Sequence, residues 1–341
     1  MALGPITGCI VMRPSRITLV SEVRMSRAVI YESFGGPEVL ELREIAEPHP
    51  GPGEVRVRVA AAGLNPMDGG IVFFGGDLAA QFGITLPSGF GYDFAGVIDE
   101  VGAGAEDFAV GDRVFGGAMG KAVADFLVMR TASSPAASWR EAPAVLFHTP
   151  VGISDEVAAT LPVAGSTAVA ALDVIDLRSG DTVLVGGAAG GVGVFVVQLA
   201  RLAGARVIGT ASETTFGFLQ QMGVEPVAYG AGLADRVRTL APQGVSAATD
   251  LIGTETVEAA LALGVPPERI STIAAGPNPP GGVRATGGSE AGPDALERIT
   301  DAILVGDITV PIAATFPIEE IRAAVKLQGE RHVHGKIVVT L

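Results

Sequence analysis

Hydrophobic and polar positions follow one pattern up to about residue 130 and a different pattern after residue 153. In the first part, short segments that alternate or run apolar are separated by glycine and proline. These segments are Ser26–Tyr31, Leu40–Ile45, Glu54–Ala61, Phe94–Val101 and Asp112–Phe115. Each has the length of one strand, and no long stretch of helical periodicity interrupts them. They predict an antiparallel β region in the form of a partly open barrel.

After Ile153 the pattern changes to strand segments that alternate with helical segments. Ser154, followed by two acidic residues, predicts the start of a helix. Apolar strands such as Thr182–Val185 then alternate with helices such as Val192–Ala203, which predicts a parallel sheet with helices on both faces. Lys336–Leu341 has strand character again. The sequence therefore predicts an α/β domain inserted between two parts of a β-rich domain.

Three segments fit neither pattern. Met1–Arg24 precedes the first strand, and its arginines follow its apolar stretch instead of preceding it as in a signal peptide. We interpret this segment as a dispensable or misassigned extension, with Met25 as the functional start. Thr131–Thr149 and Pro277–Gly288 contain several prolines or glycines and are predicted as loops.

Composition excludes several classes of protein. The 341 residues are 48% hydrophobic, which excludes a disordered chain, and the length predicts two domains. A formal net charge of −14 argues against nucleic acid as a partner. The single cysteine, Cys9, excludes an intrachain disulfide and favours a reducing compartment, the cytoplasm. The longest uncharged run, between Asp181 and Arg201, contains five glycines and therefore predicts a strand, a turn and a helix, not a membrane span.

The strongest chemical signal is a glycine-rich turn, Gly186–Gly193, between a predicted strand and a predicted helix. Glycines permit a tight turn and let backbone N–H groups approach a pyrophosphate at the positive end of the helix. The alternative is close packing of the strand on the helix with no ligand. The strand before the turn and the helix after it favour a dinucleotide.

The end of the next strand bears on which nucleotide binds. An NAD site usually has an acid there to hold the ribose hydroxyls. Here the strand ends in the neutral Gly209–Ser212, which leaves room for a 2′-phosphate and favours NADP. Glu213 follows, however, and no lysine or arginine lies between Thr210 and Gly223 to pair with that phosphate. NADH therefore stays open as the less favoured alternative.

Five motifs occur in order along the chain: Gly63–Asp68 (GLNPMD), Gly111–Val114 (GDRV), Leu161–Ala168 (LPVAGSTA), Gly190–Gly193 (GGVG) and Gly335–Val338 (GKIV). Together they resemble the medium-chain dehydrogenase/reductase superfamily, and specifically its zinc-free quinone oxidoreductase branch, the zeta-crystallin-like proteins. The resemblance covers nearly all of Met25–Leu341. It implies an α/β protein with a GroES-like catalytic domain, a partly open β-barrel, and a Rossmann domain with a doubly wound parallel sheet.

The resemblance also implies domain bounds and a cofactor. Residues 25–153 and 308–341 would form the GroES-like domain, residues 154–307 the Rossmann domain, and residues 1–24 an extension. The active site would lie in the cleft between the domains, the protein would be a homodimer, and NADPH would be the usual hydride donor.

The same resemblance implies binding roles for individual residues. The pyrophosphate would lie against the glycine turn at Ala189, Gly190, Gly191, Val192 and Gly193. Ser212 and Tyr229 would meet the adenosine phosphate, while Thr167 and Ala274 would lie near the nicotinamide. Thr214 departs from the family pattern, since many relatives carry a lysine or arginine there.

Zinc is not expected at the active site. Zinc members of the superfamily need an early cysteine ligand and a Gly-His-Glu motif, but this chain has Asn65 and Gly91–Asp93 in those places. The four histidines, His49, His148, His332 and His334, are interpreted as ordinary surface residues.

Hydride transfer without a metal suits a small hydrophobic quinone or conjugated enone, which spreads the added charge onto a remote oxygen. Asn65 is a candidate for contacting the substrate or the nicotinamide ribose, with a turn role as the alternative. Tyr92 is a candidate donor to the developing enolate or a buried structural residue. Phe73, Phe74 and Phe82 are candidates for an apolar pocket.

Two other functions stay open at this point. One is an enoyl reductase that acts on a thioester or a natural-product intermediate. The other is a nucleotide-binding protein that has lost turnover.

Overall fold

A computed structural model describes residues 24–131, 145–331 and 333–341. Residues 1–23 of the expected extension, residues 132–144 of the first expected loop, and His332 lie outside this part of the chain.

The strands, in chain order, are β1 (Met25–Tyr31), β2 (Glu41–Ala46), β3 (Glu54–Leu64), β4 (Ser88–Gly89), β5 (Asp93–Val101), β6 (Arg113–Gly117), β7 (Phe126–Arg130), β8 (Val145–His148), β9 (Thr182–Gly186), β10 (Arg206–Ala211), β11 (Glu225–Ala228), β12 (Ala247–Asp250), β13 (Ile270–Thr272), β14 (Arg284–Ala285), β15 (Ile312–Pro317) and β16 (Lys336–Thr340). The helices are α1 (Pro66–Phe74), α2 (Gly76–Gln81), α3 (Asp155–Ala158), α4 (Leu161–Asp173), α5 (Gly193–Leu202), α6 (Phe216–Gln221), α7 (Leu233–Leu240), α8 (Glu255–Ala262), α9 (Ala295–Leu304) and α10 (Ile321–Gly329).

The β-rich part contains two sheets. One has the order β2–β1–β4, and the other has the order β15–β16–β3–β5–β6–β8, with β7 also paired to β3. All of their pairs are antiparallel except β15 with β16. Apolar side chains that alternate along β3 and β5, such as Val57 and Phe94, are buried between the layers. The prediction of an antiparallel β region is confirmed.

Two short helices, which the strand pattern did not predict, occur in this region at residues 66–81. There α1 and α2 follow β3, because Asn65 and Asp68 form a capping box around Pro66 at the first helical position. The Asn-Pro pair begins a helix here and does not simply turn the chain.

The α/β part is a six-stranded sheet with the order β11–β10–β9–β12–β13–β14, and every neighbouring pair is parallel. Helices cover both faces, with α4 and α5 against one core and α7 and α8 against another. The strand order reverses between β9 and β12. In open α/β sheets, ligands bind outside the carboxyl ends of the strands at such a reversal.

Two details of the α/β part compare directly with the sequence patterns. Ser154 caps α3 and accepts a hydrogen bond from Val157 N at 3.3 Å, as the capping pattern predicts. The predicted loop Pro277–Gly288, in contrast, contains β14, a two-residue strand that prolines and glycines around it conceal. Within the described residues, the helices are too short or too polar for any of them to cross a membrane.

Close backbone packing holds the seven-stranded sheet together at Gly96 on β5. A Cβ added at Gly96 would lie 2.2 Å from the carbonyl oxygen of Arg58 on β3. Gly217 on α6 has open space in the same position.

We expect Gly96→Ala to lower the free energy of unfolding by about 1–3 kcal/mol, because the backbone of β3 cannot yield like a flexible side chain. Gly217→Ala is the matched control and should be neutral or stabilising by about 1 kcal/mol, since alanine favours the helix. Urea denaturation measures both variants. Equal stabilities of the two would contradict the expectation.

Candidate functional site

The glycine turn that follows β9 is fastened to the end of β10. Gly187 adopts a φ of +70°, which favours glycine, and its N–H donates to Thr210 Oγ1 at 3.1 Å. Ala188 N donates to the carbonyl oxygen of Thr210 at 3.3 Å. The turn therefore has a fixed position at the carboxyl end of the sheet, beside the reversal in strand order.

Three of the five glycines of the turn, Gly190, Gly191 and Gly193, have different roles. A Cβ at Gly193 would lie 2.3 Å from the carbonyl oxygen of Gly187, so this glycine is required by the turn itself. A Cβ at Gly191 would lie 3.2 Å from the Lys336 side chain, and one at Gly190 would meet only the carbonyl of Gly187, at 3.3 Å. Gly190 and Gly191 are partly exposed, and α5 begins at Gly193. An extended pyrophosphate fits this cradle, since backbone N–H groups and the positive helix end face it without side chains.

Hydroxyl groups gather where β10 ends. Ser212 Oγ lies 2.9 Å from Thr214 Oγ1 and 2.8 Å from Thr215 Oγ1. Tyr229 lies beside Ser212, because the preceding residues Ala211 and Ala228 are paired between β10 and β11. Tyr229 is 53% exposed. The structure thus brings together the two residues that the resemblance assigned to the adenosine phosphate.

The segment before β16 reaches the same place. Gly335 N donates to the carbonyl oxygen of Ala189 in the glycine turn at 2.9 Å. His334 Nε2 lies 2.9 Å from Thr215 Oγ1, and the imidazole ring stacks on Phe218. His334 is partly exposed, and its ring faces the hydroxyl cluster, a contact that the interpretation as an ordinary surface histidine did not include. Sequence spacing gave no signal for it, because Thr215 is 119 positions away.

The residues assigned to the nicotinamide side lie on α4 and after β13. Thr167 is buried in α4, beneath Gly288, whose added Cβ would lie 3.1 Å from Thr167 Oγ1. Ala274 N and Ala275 N both donate to Thr272 Oγ1, at 3.2 and 3.1 Å. The turn after β13 is held by these bonds at the carboxyl end of the sheet.

A buried polar cluster joins β3, β5 and β16 near the glycine turn. Asn65 Nδ2 donates to Asp93 Oδ2 at 2.8 Å, and Lys336 Nζ donates to Asn65 Oδ1 at 2.5 Å. Lys336 Nζ also donates to the carbonyl oxygen of Leu64 at 3.1 Å. Asp68 Oδ2 accepts from Asn65 N at 2.8 Å. The side chain of Asn65 is thus engaged at both ends.

Burial drives this cluster toward neutrality. It raises the pKa of Asp68 to about 7, opposed by the hydrogen bond from Asn65 N and reinforced by the charge of Asp93. Burial likewise raises the pKa of Asp93 to about 6, opposed by the positive charge of Lys336 and the Asn65 amide. The pKa of Lys336 is lowered by burial, against the attraction of Asp93 and Asp68. The cluster can therefore hold or release protons near neutral pH.

Tyr92 precedes Asp93 and is half-buried. Its ring packs over Gly117, where an added Cβ would lie 2.1 Å from the ring. Burial raises the pKa of the phenol, so the hydroxyl stays protonated near neutral pH. Its hydroxyl has no hydrogen-bond partner among residues 24–131, 145–331 and 333–341.

The phenylalanines predicted to line a pocket do not come together. Phe73 packs against the core of the β-rich part, whereas Phe74 is 80% exposed and Phe82 39% exposed. In the described part of the chain, no group of three or more His, Cys, Asp and Glu side chains is placed to hold a metal ion.

Two family models match the chain. The alcohol dehydrogenase GroES-like domain matches residues 51–133, and the zinc-binding dehydrogenase family matches residues 191–286. The quinone oxidoreductase of Pseudomonas aeruginosa is 38% identical over 193 residues, which are 55% of this chain and 53% of that protein. The chain spans about half the length of the curated relatives it matches.

Solved structures match over almost the whole chain. A mycobacterial protein in complex with NADPH is 28% identical with a TM-score of 0.77, over 93% of this chain and 100% of that one. The CurK enoyl reductase is 26% identical with a TM-score of 0.78, over 92% of this chain and 99% of that one.

The raised pKa of Asp68 predicts a pH dependence of stability. Because the folded state binds this proton more tightly than the unfolded state, the contribution of Asp68 to stability falls as pH rises from about 4 to about 7. The stability advantage of the wild type over Asp68→Asn should therefore shrink or reverse between pH 5 and pH 8, by roughly 2 kcal/mol.

Urea denaturation at both pH values measures this difference. Asp77→Asn, which removes an exposed acid from the neighbouring helix α2, is the control for loss of a carboxylate. If the free energies of unfolding of the wild type and of Asp68→Asn differed by the same amount at both pH values, the raised pKa of Asp68 would be ruled out.

Proposed function

The chain belongs to the medium-chain dehydrogenase/reductase superfamily, in its zinc-free quinone oxidoreductase branch, and on that premise we propose that it reduces a small hydrophobic quinone or conjugated enone with NADPH. The observation that carries the proposal is the contact between the two parts of the site. Lys336 lies against Gly191 of the nucleotide turn and binds Asn65, which stands where zinc relatives carry a cysteine ligand.

The chemistry follows from what each group offers. NADPH, when bound, supplies the hydride. The glycine turn would hold the pyrophosphate, with Ala189 and Val192 flanking it, while Thr167 and Ala274 would border the nicotinamide. Tyr92 would donate a hydrogen bond to the substrate oxygen, because its hydroxyl is protonated and without a partner in the described residues.

Asn65 is proposed as a positioning residue. Both ends of its amide are already bonded within the protein, to Lys336 and Asp93, and the side chain is buried. It would hold the start of α1 and the buried charges in place and would not itself contact the substrate. Since a quinone or enone disperses the added charge over its own conjugated atoms, its reduction would not need a Lewis acid in the place of Asn65.

One alternative has a specific observation behind it. The similarity to the CurK enoyl reductase extends over 92% of this chain. A carrier-bound or thioester-linked enoyl substrate would accept hydride by the same chemistry.

The remaining expectations stay predictions. The first is a homodimer, for which the exposed edge strand β14 offers a surface. The second is the division into a domain of residues 25–153 and 308–341 and a domain of residues 154–307. The third is a cytoplasmic location.

The test is steady-state oxidation of NADPH with a panel of quinones, simple enones and enoyl thioesters. We expect turnover with quinones or simple enones that does not require added divalent metal and persists with EDTA. Turnover confined to enoyl thioesters would establish the alternative. Tight nucleotide binding without turnover on any acceptor would show a protein that has lost catalysis.

The nucleotide site has its own test in Gly190→Val. The variant should lose binding of both nucleotides while keeping its fold, because its side chain would occupy the face that the pyrophosphate approaches and its Cβ would meet only the carbonyl oxygen of Gly187, at 3.3 Å. Isothermal titration calorimetry measures binding, and circular dichroism melting reports the fold. Gly329→Val, at an open position on α10, is the control. Retained binding in the Gly190 variant would show that the nucleotide lies elsewhere.

A further inference from the structure

We propose that His334 selects the 2′-phosphate of NADPH over the ribose hydroxyl of NADH. It would do so in place of the lysine or arginine that the segment after β10 lacks. The inference rests on the proposed binding of a nicotinamide nucleotide.

The geometry connects His334 with the end of β10 through hydrogen bonds. His334 Nε2 lies 2.9 Å from Thr215 Oγ1, which lies 2.8 Å from Ser212 Oγ, which in turn lies 2.9 Å from Thr214 Oγ1. In a Rossmann fold, the residue at the end of this strand meets the 2′ position of the adenosine ribose. The imidazole therefore belongs to the same small cluster as the residue that faces the 2′ substituent.

The ring is held in place before any ligand arrives. It stacks on Phe218 with ring centroids 5.1 Å apart and planes inclined by 22°. The next residue, Gly335, is bonded to Ala189 of the glycine turn. The position of the ring is thus fixed both by the glycine turn and by the helix α6 that follows β10. Because the ring is already ordered, less side-chain entropy is lost when it binds a ligand.

Two other basic side chains near this site, those of Lys336 and Arg236, are occupied by hydrogen bonds within the protein, whereas Arg331 in the segment before His334 is exposed. Lys336 Nζ is buried and donates to the carbonyl oxygen of Leu64 and to Asn65 Oδ1. Arg236, near Tyr229, donates to the carbonyl oxygens of residues 228, 229, 230 and 231. No lysine or arginine lies between Thr210 and Gly223.

The chemistry of the cluster matches a phosphate monoester. Three hydroxyl groups can turn their O–H bonds toward phosphate oxygens, and an imidazole ring donates a hydrogen bond from its N–H and can carry a positive charge beside a phosphate. The exposed carboxylate of Glu213 stands beside the cluster and would repel a phosphate. A cation is therefore needed here for NADPH and is not needed for NADH.

The experiment measures dissociation constants for NADPH and NADH by isothermal titration calorimetry on the full chain. His334→Ala should weaken NADPH binding about tenfold and change NADH binding less than twofold. His334→Gln keeps a hydrogen-bond donor for Thr215 but carries no charge, and it should also weaken NADPH binding more than NADH binding. His334→Arg should retain NADPH binding. The affinity for adenosine 2′-monophosphate, used as a competitor, should fall in the His334 variants by the same factor as the affinity for NADPH.

His148→Ala is the matched control. His148 also stacks on a phenylalanine, Phe108, with centroids 4.9 Å apart, but it lies at the end of β8. Its removal should leave both nucleotide affinities unchanged.

Several outcomes would overturn the inference. They are equal weakening of NADPH and NADH in the His334 variants, no change for either nucleotide, or tighter binding of NADH than of NADPH by the wild type. Failure of the wild type to bind either nucleotide would instead overturn the proposed function on which the inference rests.

Discussion

The buried ammonium group of Lys336 is the interaction on which the site depends. It donates to the amide of Asn65 and to the backbone of Leu64, while its aliphatic stem borders Gly191. One side chain therefore contacts the end of β3, the start of α1 and the glycine turn, and it holds the three together. A buried charge of this kind is tolerated only where polar groups surround it; here Leu64 O and Asn65 Oδ1 accept from the ammonium group, and the carboxyl groups of Asp93 and Asp68 attract it.

The same network shows how a fold with zinc-dependent relatives can work with a different set of side chains. Where a thiolate and an imidazole would ligate a metal, Asn65 and Tyr92 offer an amide and a phenol. The amide donates to Asp93 and accepts from Lys336, so it holds its neighbours in place. The phenol is the group that we propose as the donor to a substrate.

Local patterns in the sequence predicted the elements of the fold well, since periodicity and caps depend on near neighbours. The turn before α5 and the cap at Ser154 are examples. Such local patterns could not predict which side chains contact each other when they are far apart in the sequence. Lys336 and Asn65 are 271 positions apart, and His334 and Thr215 are 119 apart, so no spacing rule connects them. The short strand β14 was missed because two residues carry no periodicity.

Residues 334–336 complete both the glycine turn and the buried cluster, although β3, which pairs with the rest of β16, is made early in synthesis. On the ribosome, the Rossmann strands emerge long before this segment does. The nascent chain thus has its glycine turn without the Gly335 and Lys336 contacts, and Asp93 and Asp68 without their ammonium partner. Assembly of a competent site has to wait until translation has passed residue 336 and that segment has left the exit tunnel.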